Sequence, residues 1–69
     1  MEIDISTPEG NTLTALGIAT AMMRKAKRRQ NDIDTLQKKV FNANSAKEAR
    51  DEITKATYGA IIFVNSNER

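Results

Sequence analysis

The 69-residue chain has no cysteine, no histidine and no tryptophan, one proline and three glycines. Without cysteine no disulfide can form, and the chain suits a reducing compartment. Without cysteine and histidine a tetrahedral zinc site loses its usual ligands, so no metal or cofactor is expected. The same two absences remove the commonest general base and the thiolate nucleophile. Ser6, Ser45 and Ser66 have no activating partner legible in the sequence, so no catalytic residue is assigned. No apolar run nears the roughly 18 residues of a membrane-crossing helix. Met1-Glu2-Ile3-Asp4 is acidic, unlike the basic start of a signal peptide. A cytoplasmic, non-enzymatic protein with no membrane partner is the expectation.

Residues of hydrophobic type make up 39% of the chain and charged ones 29%, with 11 Lys and Arg against 9 Asp and Glu. That balance fits one globular domain spanning residues 1–69, with 65–69 a frayed tail. A chain this short buries only about 60% of its unfolded surface. Small folds usually add a disulfide, a metal or a second subunit. Only the subunit remains here, so a homo-oligomer is expected.

Ile3 and Ile5 alternate with Glu2, Asp4 and Ser6, a period-two pattern that predicts a short strand with one buried face. Thr7-Pro8-Glu9-Gly10-Asn11 follows, and either Thr7 or Asn11 can cap the next helix, with Pro8 suited to a first helical position and Glu9 to the helix dipole. From Thr12 to about Gln30 the period is helical. Ala15, Leu16, Ala19, Met22, Met23 and Ala26 share one arc, and Arg24, Lys25, Arg28 and Arg29 lie opposite with Gly17 and Ala21. Asn31-Asp32 can end that helix and cap another, whose inward positions are Ile33, Leu36 and Val40, with Phe41 beside them. Whether these two helices are continuous is left open by the sequence.

Ser45-Ala46-Lys47-Glu48 has the spacing of a capping box and predicts a helix carrying Ala49, Ile53 and Ala56 inward. Gly59 stands where a left-handed helix cap is expected. Ala60 to Val64 is a run of five apolar residues, which predicts a strand covered on both faces. The expected fold is α+β, strand–helix–helix–helix–strand (β-α-α-α-β, the helices numbering two to three), completed by oligomerisation because two strands alone make a weak sheet.

Two segments can meet a ligand. Arg24-Lys25-Ala26-Lys27-Arg28-Arg29 holds five cations in six residues and can contact phosphate. No aromatic is interleaved for base stacking, and a solvated helix end is the plainer alternative. In Thr7 to Asn11 a strand turns into a helix through Gly10, presenting backbone N–H groups that suit an anion. It lacks the glycines and lysine of a phosphate-binding loop, and helix capping explains it equally. Tyr58, just before the last strand, can stack on a base or line a pocket. The Met22-Met23 pair reads as core. Glu48 and Glu52 share a helix face and can hold a metal, although a solvated face with Lys47 and Lys55 is the plainer reading.

Ile3-Asp4-Ile5-Ser6-Thr7-Pro8-Glu9-Gly10-Asn11, followed by Leu13, Leu16 and Gly17, resembles a group of small uncharacterised proteins of tailed bacteriophages. That group begins with a strand, a Pro-Glu-Gly-Asn turn and a helix, and ends with an apolar strand like Ala60 to Val64. It commonly has Gly before the Pro, where this chain has Thr7. The resemblance implies a phage-encoded accessory protein in the cytoplasm of a bacterial host cell. One such class is the oligomeric anti-defence protein that sequesters a cyclic nucleotide. The expected function is therefore a non-enzymatic homo-oligomer that captures an anionic ligand such as a nucleotide, or a host protein. Thr7, Gly10 and Asn11 would supply polar contacts, Arg24, Lys25 and Arg28 would neutralise phosphate, and Tyr58 would stack. The alternatives are a nucleic-acid-binding module using the basic helix 24–29 and a purely structural or protein-interaction module.

Overall fold

Strand β1 (Glu2–Asp4) leads through a turn into helices α1 (Thr12–Lys25), α2 (Gln30–Phe41) and α3 (Ala46–Ala56), and the chain closes with strand β2 (Ile62–Val64). The computed structural model describes residues 1–7 and 10–65. The fold is a small α+β arrangement in which the first and last elements pair as a two-stranded parallel sheet, with Ile3 beside Phe63. The ladder extends beyond the strands: Ile62 N–H donates to Met1 C=O and Ile5 N–H donates to Val64 C=O, both at 2.9 Å. The predicted frayed tail lies, from residue 66 on, outside the described residues.

One core joins the two layers. The sheet contributes Ile3 and Ile61, α1 contributes Ala15, Leu16, Ala19 and Met23, α2 contributes Ile33, Leu36 and Val40, and α3 contributes Ala49 and Ile53. Ile53 and Ile61 are fully buried, each such side chain stabilising by about 1.5–3 kcal/mol relative to exposure. Thr57 ties α3 to β2 from inside the core: its hydroxyl donates to Ile53 C=O at 2.9 Å and accepts from Ile61 N–H at 3.2 Å.

The helix starts follow side-chain caps where the sequence supplies them. Asn11 Oδ1 accepts from Leu13 N–H at 3.0 Å, which makes Asn11, and not Thr7, the cap of α1. Ser45 Oγ accepts from Glu48 N–H at 3.1 Å, as the capping box predicts. The Glu48 carboxylate reaches one residue further back than that motif requires and accepts from Asn44 N–H.

The helix ends differ from the sequence expectation. The periodic pattern predicts helix to about Gln30, but α1 stops at Lys25 and α2 starts at Gln30. Lys27 takes a left-handed φ of 59°, and the reversal is closed by Lys27 N–H to Arg24 C=O and Arg28 N–H to Met23 C=O. That is the two-bond cap usually built on glycine. The same cap ends α3, with Tyr58 at φ 54° in the glycine position and bonds from Tyr58 N–H to Lys55 C=O and Gly59 N–H to Thr54 C=O. Asn31 and Asp32 fall inside the first turn of α2, whose capping position is Arg29, without a side-chain cap.

Two further expectations are corrected. The last strand is not covered on both faces: Ile61 is buried, but Ile62 is 47% exposed. Alternation along β2 turns Ile61 and Phe63 to the helices and leaves Ile62 on the outer face. Phe41 is exposed, because it ends α2 one position beyond the inward-facing Val40.

Candidate functional site

The seven sequence-predicted ligand residues fall into three places. Thr7, Gly10 and Asn11 form the turn between β1 and α1. Thr7 N–H and Thr7 Oγ1 both donate to Asp4 C=O, at 3.1 and 2.7 Å, and Gly10 N–H donates to Thr7 C=O at 2.9 Å. The Asn11 side-chain oxygen is taken by the helix cap. Gly10 is buried, and a Cβ there would lie 2.4 Å from Ile5 Cα and 2.7 Å from Asp4 C=O. The glycine is required because two backbones touch, and the donors expected to meet an anion are engaged within the chain. Pro8 and Glu9 lie outside the described residues.

Arg24 and Lys25 are exposed in the last turn of α1. The predicted i, i+4 face of Arg24 and Arg28 does not exist, because α1 ends between them. Arg24 is about 20 Å along the axis from Asn11, at 1.5 Å rise per residue, so one small ligand cannot span both. Gly17 lies on the exposed face of α1 with open space around it.

Arg28 and Tyr58 form the third place. Arg28 follows the left-handed turn after α1, and that turn aims its side chain at the end of α3. Nη1 donates to Ala56 C=O at 2.9 Å, satisfying one of the carbonyls that a helix end leaves without a partner. The guanidinium lies 4.7 Å from the centre of the Tyr58 ring, and Nε stands 3.7 Å from the Asp32 carboxylate. Arg28 thus clasps the ends of α1 and α3 together. Tyr58 is held in a conformation that costs a non-glycine residue about 1–2 kcal/mol, and its side chain gains no burial in return: the residue is 82% exposed.

Beside that ring lies an apolar cleft of about 190 Å³ lined by Met22, Met23, Ala26, Arg28, Thr57, Tyr58 and Ala60. It exceeds a cavity of about 150 Å³ that takes up a benzene ring. At about 100° per residue, Lys25 projects about 60° from Met22 but about 160° from Met23, so it stands on the Met22 side of the cleft without lining it, and Arg24 projects about 160° from Met22. Lys27 is exposed at the cap between Ala26 and Arg28.

The sequence reading names Tyr58 and Arg28 as ligand candidates but misses the cleft that both line. Met22, Ala26 and Ala60 carry no chemical signal, and only the unpredicted chain reversal at Lys27 places Arg28 against α3. Glu52, considered above as a metal partner of Glu48, bonds instead to Lys39 at 3.6 Å and Lys55 at 3.7 Å. Among the described residues no group of three or more carboxylates is placed to hold a metal, and no helix is long and apolar enough to cross a membrane. No protein-family description, curated protein or solved structure matches the chain.

Proposed function

We propose that this protein is a non-enzymatic binding protein, acting as a homo-oligomer, that captures a ligand joining a planar ring to a negative charge, as a nucleotide does. The observation that carries the reading is Tyr58: an aromatic ring displayed to solvent from a backbone position that glycine would occupy at lower cost. The two-bond cap holds the backbone of Tyr58 there, but it needs no side chain, so a large ring at that position, 82% exposed, points to a use for the ring itself. The ring offers a stacking face, the adjoining cleft accepts a single planar group, and Lys25 and Lys27 flank it with charge for phosphate. Arg28 supports the ring and already bonds to Ala56. Its part is to position Tyr58.

Four of the residues first expected at a ligand leave this reading. Thr7, Gly10 and Asn11 build the first turn, and Arg24 faces away from the cleft. The phage resemblance rests on that same turn, so origin in a phage, and with it action against a host defence, is a proposal about ancestry that is independent of the cleft.

Tyr58 is the sole tyrosine and the chain has no tryptophan, so intrinsic fluorescence reports on this site alone. Titration with adenosine monophosphate should quench it, with amide shifts centred on Met22, Lys25 and Tyr58. A nucleotide that perturbs residues of the first turn, or none at all, contradicts the reading. Stronger quenching by single-stranded oligonucleotides, weakening steeply with salt, would replace it with the nucleic-acid alternative.

A further inference from the structure

The sheet ends one strand too soon. In the parallel ladder, Ile62 and Val64 direct their N–H and C=O groups to β1, so Phe63 directs both of its own to the opposite, outer edge. Alongside that edge, and reaching Ile5 at the end of the sheet, runs a groove of about 470 Å³, walled by β2 on one side and by Lys47, Arg50, Asp51 and Thr54 of α3 on the other. α3 returns through a tight cap into β2, so the two run side by side and the groove has the position of a strand next to β2. Ile62 stands 47% exposed on the outer sheet face beside it.

We propose that this groove is the contact between two copies of the chain, with the β2 strand of a second copy added antiparallel to β2 about a two-fold axis through Phe63. Three observations select that occupant. First, Phe63 turns an N–H and a C=O to this edge that pair with no other described residue, and a two-fold axis at Phe63 joins all four groups of two copies in a single reciprocal pair. Second, the same register sets the exposed Ile62 opposite Val64 of the second copy and repeats that pair on the other side, a favourable match of β-branched residues. Third, the α3 wall carries both charges, Lys47 and Arg50 with Asp51, so cations of one copy can meet Asp51 of the other under a two-fold axis. The result is a four-stranded sheet, β1-β2-β2-β1, with a helical layer on the face of Ile3, Ile61 and Phe63. Three or more strands with an apolar face is what independent stability usually takes. The exposed edge of a two-stranded sheet, by contrast, is a template for pairing.

This inference gives structure to the oligomer half of the reading above and does not depend on its ligand. Sedimentation equilibrium and hydrogen exchange of the full chain, without nucleotide, test it together. The expected mass is twice 7.7 kDa at high micromolar concentration. The Phe63 amide should become protected as concentration rises, while that of Ile62, already bonded to Met1, should not change. Ile62→Lys, at an exposed position, should keep the helical circular dichroism, restore the single-chain mass and release the Phe63 amide. A single-chain mass at millimolar concentration overturns the proposal. So does a dimer in which the Phe63 amide exchanges freely, or one that survives Ile62→Lys. A monomer whose Tyr58 still responds to adenosine monophosphate would remove the dimer and leave the cleft standing, so the two failures are distinguishable.

Discussion

The chain changes between strand and helix at two turns, and each contains a glycine. In the first, Thr7 to Asn11, polar groups close on one another: the Thr7 hydroxyl and amide, the Gly10 amide and the Asn11 side chain all bond within the chain. Gly10 is there because Ile5 leaves no room for a Cβ. In the second, Thr57 to Ala60, the polar work falls to the buried Thr57, and Tyr58 carries a large ring outward from a left-handed backbone. Thr7, Gly10 and Asn11 of a motif-like sequence are therefore engaged in folding, while Tyr58 is displayed at a cost in stability. Function is better sought where a residue opposes its local preference without gaining burial than where a pattern merely looks like a ligand loop.

The sharpest way to break this contrast is Gly10→Ala. Its Cβ would meet backbone, which cannot swing aside, so the expected loss is about 3 kcal/mol in urea unfolding, the upper part of the range for overpacking. Unchanged stability would mean that the first turn is loose enough to admit a ligand. Arg28→Met should come next, at about 2 kcal/mol, because it removes a charged donor from the Ala56 carbonyl while keeping most of the stem. Tyr58 fluorescence should change in this variant, since the guanidinium leaves the ring. Asn11→Ala should cost about 1 kcal/mol, the usual worth of a helix cap, and leave nucleotide binding intact. Arg24→Gln should stay within about 0.5 kcal/mol and leave binding nearly unchanged, because its side chain is exposed and turned from the cleft.

Much of the fold was legible because its signals are local. The alternation of Ile3 and Ile5, the periodic apolar residues of each helix and the Ser45–Glu48 cap place five elements in the right order. The helix ends are legible only in part: Gly59 is left-handed at φ 80°, as expected, but Lys27 and Tyr58 are left-handed too, and their side chains give no hint of it. Extending α1 past Lys25 put Arg24 and Arg28 on one face, when Arg28 in fact turns to the end of α3. Five apolar residues in sequence from Ala60 to Val64 suggest a doubly covered strand and do not reveal that the sheet of the described residues has two strands and leaves Ile62 outside. Candidate ligand residues were chosen by type. The distance between the turn and the basic run, set by the length of α1, lies outside what residue type can tell.

The most direct test of the central claim is the Tyr58→Gly variant, measured for melting temperature and for adenosine monophosphate binding by calorimetry. Glycine relieves about 1–2 kcal/mol of left-handed strain and gives up a cation–π contact worth about 0.5–1 kcal/mol at an exposed site. The account predicts a melting temperature equal to or a few degrees above that of the parent chain, with nucleotide binding abolished. A melting temperature that falls by several degrees while binding persists would show that the ring serves the fold, and would contradict the account.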